Sequence, residues 1–197
     1  MSQTAQQPAN TPAGGRPPFI CLEGIDGVGK SATARALARR LGAHHYRTPP
    51  PPFDAIRRHV DATGDFRARY HFYLAAVHCA SVEIASLVRS APVVCDRYLY
   101  STLAYHAPLA GQEPSLGQFA HLFLPSPAIL LTVAEDLRRE RLARRGLGRL
   151  PDAQWEADPA YLAQVQEQFR SFGLVELDTT GLTPEQAAEK IIQTNNL

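Results

Sequence analysis

The chain has 197 residues, length for one α/β core and little more. Twenty Lys and Arg against nineteen Asp and Glu leave a formal charge of +1, with 45% hydrophobic and 20% charged residues; this argues against a fibrous or disordered chain and against a dedicated nucleic-acid or acidic-membrane binder. No apolar run approaches the roughly 18 residues that cross a bilayer, and no basic start with an apolar centre opens the chain, so a cytoplasmic protein without a membrane partner is expected.

Residues 1–18 are rich in Gln, Pro and Gly and read as a disordered tail ahead of a single domain over 19–197. Phe19-Ile20-Cys21-Leu22 is short, apolar and closed by a glycine-rich turn, as a buried parallel strand would be, and a helix rich in Ala, Leu and Arg follows over 30–41. A second strand is expected over 43–46, ahead of the rigid run Pro49-Pro50-Pro51-Pro52. A long helix over 66–88 is broken by Pro92 and followed by a strand at Val93-Val94-Cys95. A fourth strand over 128–133 precedes an arginine-rich helix over 136–145. Gly146, Gly148 and Pro151 then mark a short lid over 146–155 before a helix at 159–169.

A fifth strand at 174–177 and a last helix complete the chain. Thr183, Pro184 and Gln186 supply that helix with its cap, its first residue and its capping-box partner. Strands alternating with helices predict an α/β fold of three layers, a five-stranded parallel sheet between helices, with the ligand site at the carboxyl ends of the strands. Cys21, Cys79 and Cys95 are odd in number and widely spaced, so three reduced, mostly buried thiols are expected. The seven histidines are scattered, and none pairs with a nucleophile.

Gly24-Ile25-Asp26-Gly27-Val28-Gly29-Lys30-Ser31 fits the phosphate-loop pattern G-x-x-x-x-G-K-[ST] between a strand and a helix. Glycines let the backbone curl so that N–H groups point inward, and the helix adds its positive end, with Ala32 in its first turn. Lys30 is placed to reach the β- and γ-phosphates of ATP, and Ser31 to set its hydroxyl on Mg²⁺. Asp96, which ends a buried strand, is placed to orient the metal or its waters. Lys30, Arg97 and a lid arginine would supply the positive charge that phosphoryl transfer requires.

The segment Phe19 to Ser31, taken with Asp96-Arg97-Tyr98 through Ser101, Ala104 and Tyr105, resembles thymidylate kinase. The resemblance implies a P-loop fold, transfer of phosphate from ATP to a nucleoside monophosphate, and a homodimer packed through long helices, 66–88 included. It places Asp26 beside the reacting phosphates, Asp96 near Mg²⁺ and Arg97 on the acceptor phosphate. Arg141 and Arg145 match basic residues of the helix and lid over the donor. Tyr105 and Phe72 or Tyr73 match aromatics near the acceptor's base and sugar, and Arg47 fits the segment after the second strand.

Three positions depart from that pattern. The family's long helix carries an arginine four residues after the stacking aromatic, whereas here Tyr73 is followed at that spacing by Val77, with His78 beside it. Thr48 stands where an acidic or aromatic residue is usual, and 150–156 lacks the family's Asp-Arg and Glu pattern. The donor side therefore reads as intact and the acceptor side as altered and stripped of charge. That leaves dTMP, another monophosphate, or a hydroxyl acceptor on a nucleoside or specialised metabolite, with Asp26 or Asp96 as its base; retention of Arg97 favours a phosphorylated acceptor. A nucleotide-binding module without activity is the reading from another class. Lys30 and Lys190 are the only lysines, which excludes the Asn-Lys-x-Asp guanine motif of switch GTPases.

Overall fold

The computed structural model describes residues 16–145 and 158–197. Its centre is a five-stranded, wholly parallel sheet in the order β2-β3-β1-β4-β5. The strands are β1 (Phe19–Glu23), β2 (His44–Arg47), β3 (Val93–Asp96), β4 (Ala128–Thr132) and β5 (Val175–Asp178). The helices are α1 (Lys30–Leu41), α2 (Asp54–Ala62), α3 (Phe66–Leu87), α4 (Leu99–His106), α5 (Glu135–Arg145), α6 (Pro159–Ser171) and α7 (Pro184–Asn195). Helix α1 lies on β1, β2 and β3 with α7 beside it, while α4 packs against α3 and α6. The three-layer α/β/α expectation holds.

Strand β1 is buried along its whole length because both faces of a central parallel strand are covered. Ile20 and Leu22 are fully enclosed, and truncating either to Ala would cost about 2–5 kcal/mol. Side-chain caps set several helix starts: Asp65 accepts from the Ala68 N–H at 2.8 Å, Asp158 accepts from Ala160, and the Thr183–Gln186 capping box is present. Each such cap contributes about 1 kcal/mol.

The observed strands β2 and β5 lie one residue later than expected, and β1 and β3 run one residue further. Both extra residues matter, since Glu23 and Asp96 stand at the carboxyl edge of the sheet. Helices α2 and α4 go beyond the sequence reading. Helix α4 is nearly all buried and shows no polar face to betray its period. All three cysteines are free; Cys21 and Cys95 are buried side by side in the β1–β3 register and Cys79 is exposed, which fits the expectation of a mostly buried set. The proposed lid and most of the tail lie outside the described residues. Among the described residues no helix is long and apolar enough to cross a membrane.

Candidate active site

The loop between β1 and α1 turns on Gly24, Gly27 and Gly29, with φ of 133°, 90° and 103°, angles that a side chain would strain. At Gly24 space forbids one as well, because a Cβ there would lie 2.5 Å from the Leu131 carbonyl oxygen of β4. Lys30 is nearly buried and donates from Nζ to the Ile25 carbonyl at 2.8 Å. Helix α5 braces the loop from outside: Arg138 Nη1 donates to Asp26 O at 3.2 Å, and Arg141 Nη1 donates to Val28 O at 3.2 Å. Thr179, after β5, donates to the same Val28 oxygen. Arg138, on the arginine-rich helix, is 4% exposed and paired with Glu135. Arg145 ends α5, and its side chain lies outside the described residues.

The pairing of Leu22 with Asp96 sets the end of β3 beside the start of the loop. Arg97 follows with φ 67°, a left-handed conformation that costs a residue bearing a Cβ about 1–2 kcal/mol. Surrounding bonds hold it there: its N–H donates to Leu22 O at 3.0 Å, and its carbonyl accepts from Thr48 Oγ1 at 3.0 Å. The guanidinium thereby points back to the loop, donating to Gly24 O at 3.2 Å, to Ser101 Oγ at 3.0 Å and to Asp26 Oδ1. Burial pushes the Asp26 carboxyl up, but the charges of Arg97 and Lys30 outweigh it and hold that carboxyl well below its usual range.

These groups share one cavity of about 330 Å³. Asp26, Gly27, Gly29, Lys30 and Ser31 line one end; Arg47, Asp96, Arg97 and Ser101 line it too; and Tyr105 carries the Arg97 guanidinium 5.3 Å above its ring. A second set of residues, drawn from α2, α3, α4 and α6, also lines the cavity: Arg57, Arg69, Tyr73, His106 and Tyr161. Tyr73 stacks on His106 at 4.3 Å with planes 9° apart. Its hydroxyl donates to Asp61 at 3.1 Å and accepts from Arg57 Nε at 3.1 Å. Arg69 Nε lies 3.6 Å from the same Asp61 carboxylate. Burial first, then the charges of Arg69, Arg97 and Arg57, pushes the His106 imidazole down to about 3, so it is neutral and offers one donor and one acceptor.

Two residues singled out as acceptor-side candidates stand elsewhere. Val77 is 1% exposed in the core, and Phe72 packs against Phe53 at 5.6 Å, so neither lines the cavity. Arg47 does line it but is engaged with Asp54 at the start of α2. The end of the cavity lined by Tyr73 and His106 carries charge, against the expectation drawn from Val77, because Arg57 of α2 and Arg69, one turn before Tyr73 on α3, bring guanidiniums there. Sequence reasoning missed Arg57, Arg69 and His106; the one available signal was that Arg69 falls four residues before Tyr73, on the same helix face.

A family model for thymidylate kinase matches residues 22–191. The chain is 34% identical over 196 residues to the thymidylate kinase of Leifsonia xyli subsp. xyli, covering 87% of this chain and 91% of that one. It is 31% identical over 165 residues to a probable thymidylate kinase of Methanocorpusculum labreanum, covering 77% and 81%. The thymidylate kinase of Candida albicans shares the fold, with a TM-score of 0.67 at 21% identity over 92% of this chain and 93% of that one. The matched residues 22–191 take in the loop, the Arg97 turn and most of the sheet, and the chain belongs to the thymidylate kinase family and is a nucleotide kinase.

Proposed function

We propose that the protein transfers the γ-phosphoryl group of ATP to a nucleoside monophosphate, dTMP to dTDP being the reaction of best fit. The observation that carries this reading is the convergence of Arg97 and Lys30 on the Asp26 carboxylate inside a cavity whose other wall is aromatic and guanidinium-rich. A recipient that already bears a phosphate would meet Arg97. Its planar base would lie toward Tyr73, His106 and Tyr105.

The loop fits a triphosphate. Its three glycines hold positive φ angles that side chains rarely adopt, Gly24 also has no room for a Cβ, and a nearly buried lysine sits at the helix start. A magnesium ion would be held by the Ser31 hydroxyl, with Asp96 orienting its waters; both line the cavity, and both offer the hard oxygens this ion prefers. When bound, the metal neutralises charge on the transferring phosphate. Lys30 and Arg97 would stabilise the same developing charge from the donor and acceptor sides, and Asp26 keeps the two cations at a fixed separation. Each well-aimed donor of this kind is worth roughly 10²–10³ in rate.

Arg57 and Arg69 present donors only, a chemistry that favours a base with a carbonyl over one with an exocyclic amine. The outward stripe Ala75, Cys79, Val82 and Ser86 on α3 is exposed and small or apolar, which supports a homodimer through that helix. A cytoplasmic location suits an enzyme that draws on ATP. The test is a panel of nucleoside monophosphates, nucleosides and simple alcohols, incubated with ATP and Mg²⁺ and analysed for products. Diphosphate formation from dTMP is the expected result; transfer to a nucleoside and to no monophosphate would overturn the reading.

A further inference from the structure

Glu23, the last residue of β1, is fully buried on a strand whose other residues are apolar or thiol. A charged group is costly in such a place, and packing alone would be served by another Leu or Ile. Its carboxylate is instead spent on the Arg97 turn. Oε1 accepts the Tyr98 N–H at 2.8 Å, and Oε2 accepts the Ser101 hydroxyl. Ser101 Oγ in turn accepts Arg97 Nη1 at 3.0 Å. The hydroxyl has a single hydrogen, and the guanidinium has nothing but hydrogens to offer on that side. With its hydrogen committed to Glu23, Ser101 can only turn a lone pair toward Arg97.

We infer that Glu23 is a positioning residue for phosphoryl transfer: it pins the left-handed Arg97 turn through Tyr98 and orders the Ser101 hydroxyl so that the Arg97 guanidinium is held facing the phosphate loop. Burial pushes the Glu23 carboxyl up, and the Ser101 bond, the Arg97 charge and the Tyr98 N–H oppose that push, consistent with their closeness. The inference rests on the proposed role of Arg97 in holding the acceptor phosphate. The donor side is reached only through Asp26, which Arg97 and Lys30 share, and Lys30 keeps a separate bond to the Ile25 carbonyl.

The test compares Glu23→Gln, Ser101→Ala, the double variant and Cys21→Ala by steady-state kinetics with ATP and dTMP, each normalised to folded enzyme. Glu23→Gln is isosteric, but its amide donates to Ser101 and turns the hydroxyl hydrogen toward Arg97. We expect KM for dTMP to rise about tenfold, KM for ATP to stay within twofold, and the double variant to be no worse than either single one. Cys21→Ala, whose thiol lies 3.5 Å from the same carboxylate, is expected to lower Tm without moving KM for dTMP. An unchanged KM for dTMP in Glu23→Gln, an equal rise in both KM values, or an equal effect of Cys21→Ala would overturn the inference. If Glu23→Gln does not fold, Ser101→Ala decides by the same criteria. Arg97→Ala, run alongside, separates the levels: with no effect on KM for dTMP it defeats the proposed role of Arg97, whereas a large effect there and none in Glu23→Gln defeats this inference alone.

Discussion

Asp26 Oδ1 accepts from Arg97 Nη2 and, at 3.5 Å, from Lys30 Nζ, so one carboxylate oxygen joins the phosphate loop to the turn that follows β3. The two segments are 71 residues apart in sequence. Their meeting follows from the β1–β3 register, which aligns Leu22 with Asp96.

Asp26→Asn keeps the shape of this junction and removes its charge. We expect kcat to fall about 10²-fold with little loss of ATP affinity. Because the carboxyl is held well below its usual range, the wild-type pH–rate profile should show no Asp26 limb above pH 5. A variant with wild-type kcat would remove Asp26 from the mechanism.

Arg69→Lys leaves a positive charge near Asp61 but loses the planar donor fork. The ratio of kcat/KM for dTMP to that for dCMP should drop about tenfold, because only a base-reading role separates two acceptors that share sugar and phosphate. An equal loss with both would assign Arg69 to packing.

How much of this was legible in the sequence divides by locality. The phosphate loop is contiguous, and each of its residues has a local backbone or phosphate task, so Gly24 to Ser31 announce it unaided. The far end of the cavity is drawn from α2, α3, α4 and α6, and in sequence Arg57 and Arg69 look like ordinary helix-surface charges. Val77 drew attention by spacing alone; the turn of α3 points it into the core. Glu23 could not be distinguished from the start of the loop until Tyr98 and Ser101 were folded over it.

His106 makes stability depend on pH with a definite sign. The folded protein keeps it neutral down to about 3, while the unfolded chain takes a proton near 6.5. Between those values the unfolded state binds more protons, so this contribution to stability is lost as pH falls. The Tm of wild type should decline more steeply than that of His106→Gln between about pH 7.5 and 4.5; parallel curves would contradict the assignment.

Val82, 74% exposed on the outer stripe of α3, tests assembly. Sedimentation at micromolar concentration should give a dimer of the 21.6 kDa chain and a monomer for Val82→Glu. A monomeric wild type would rule out the dimer.

The most direct measurement of the central claim is sequential calorimetry, with Mg·AMP-PNP and then dTMP titrated into one sample. Two saturable heats are expected, the first abolished in Lys30→Ala and the second in Arg97→Ala. Displacement of one ligand by the other, or no heat from dTMP, would contradict a cavity that holds donor and acceptor together.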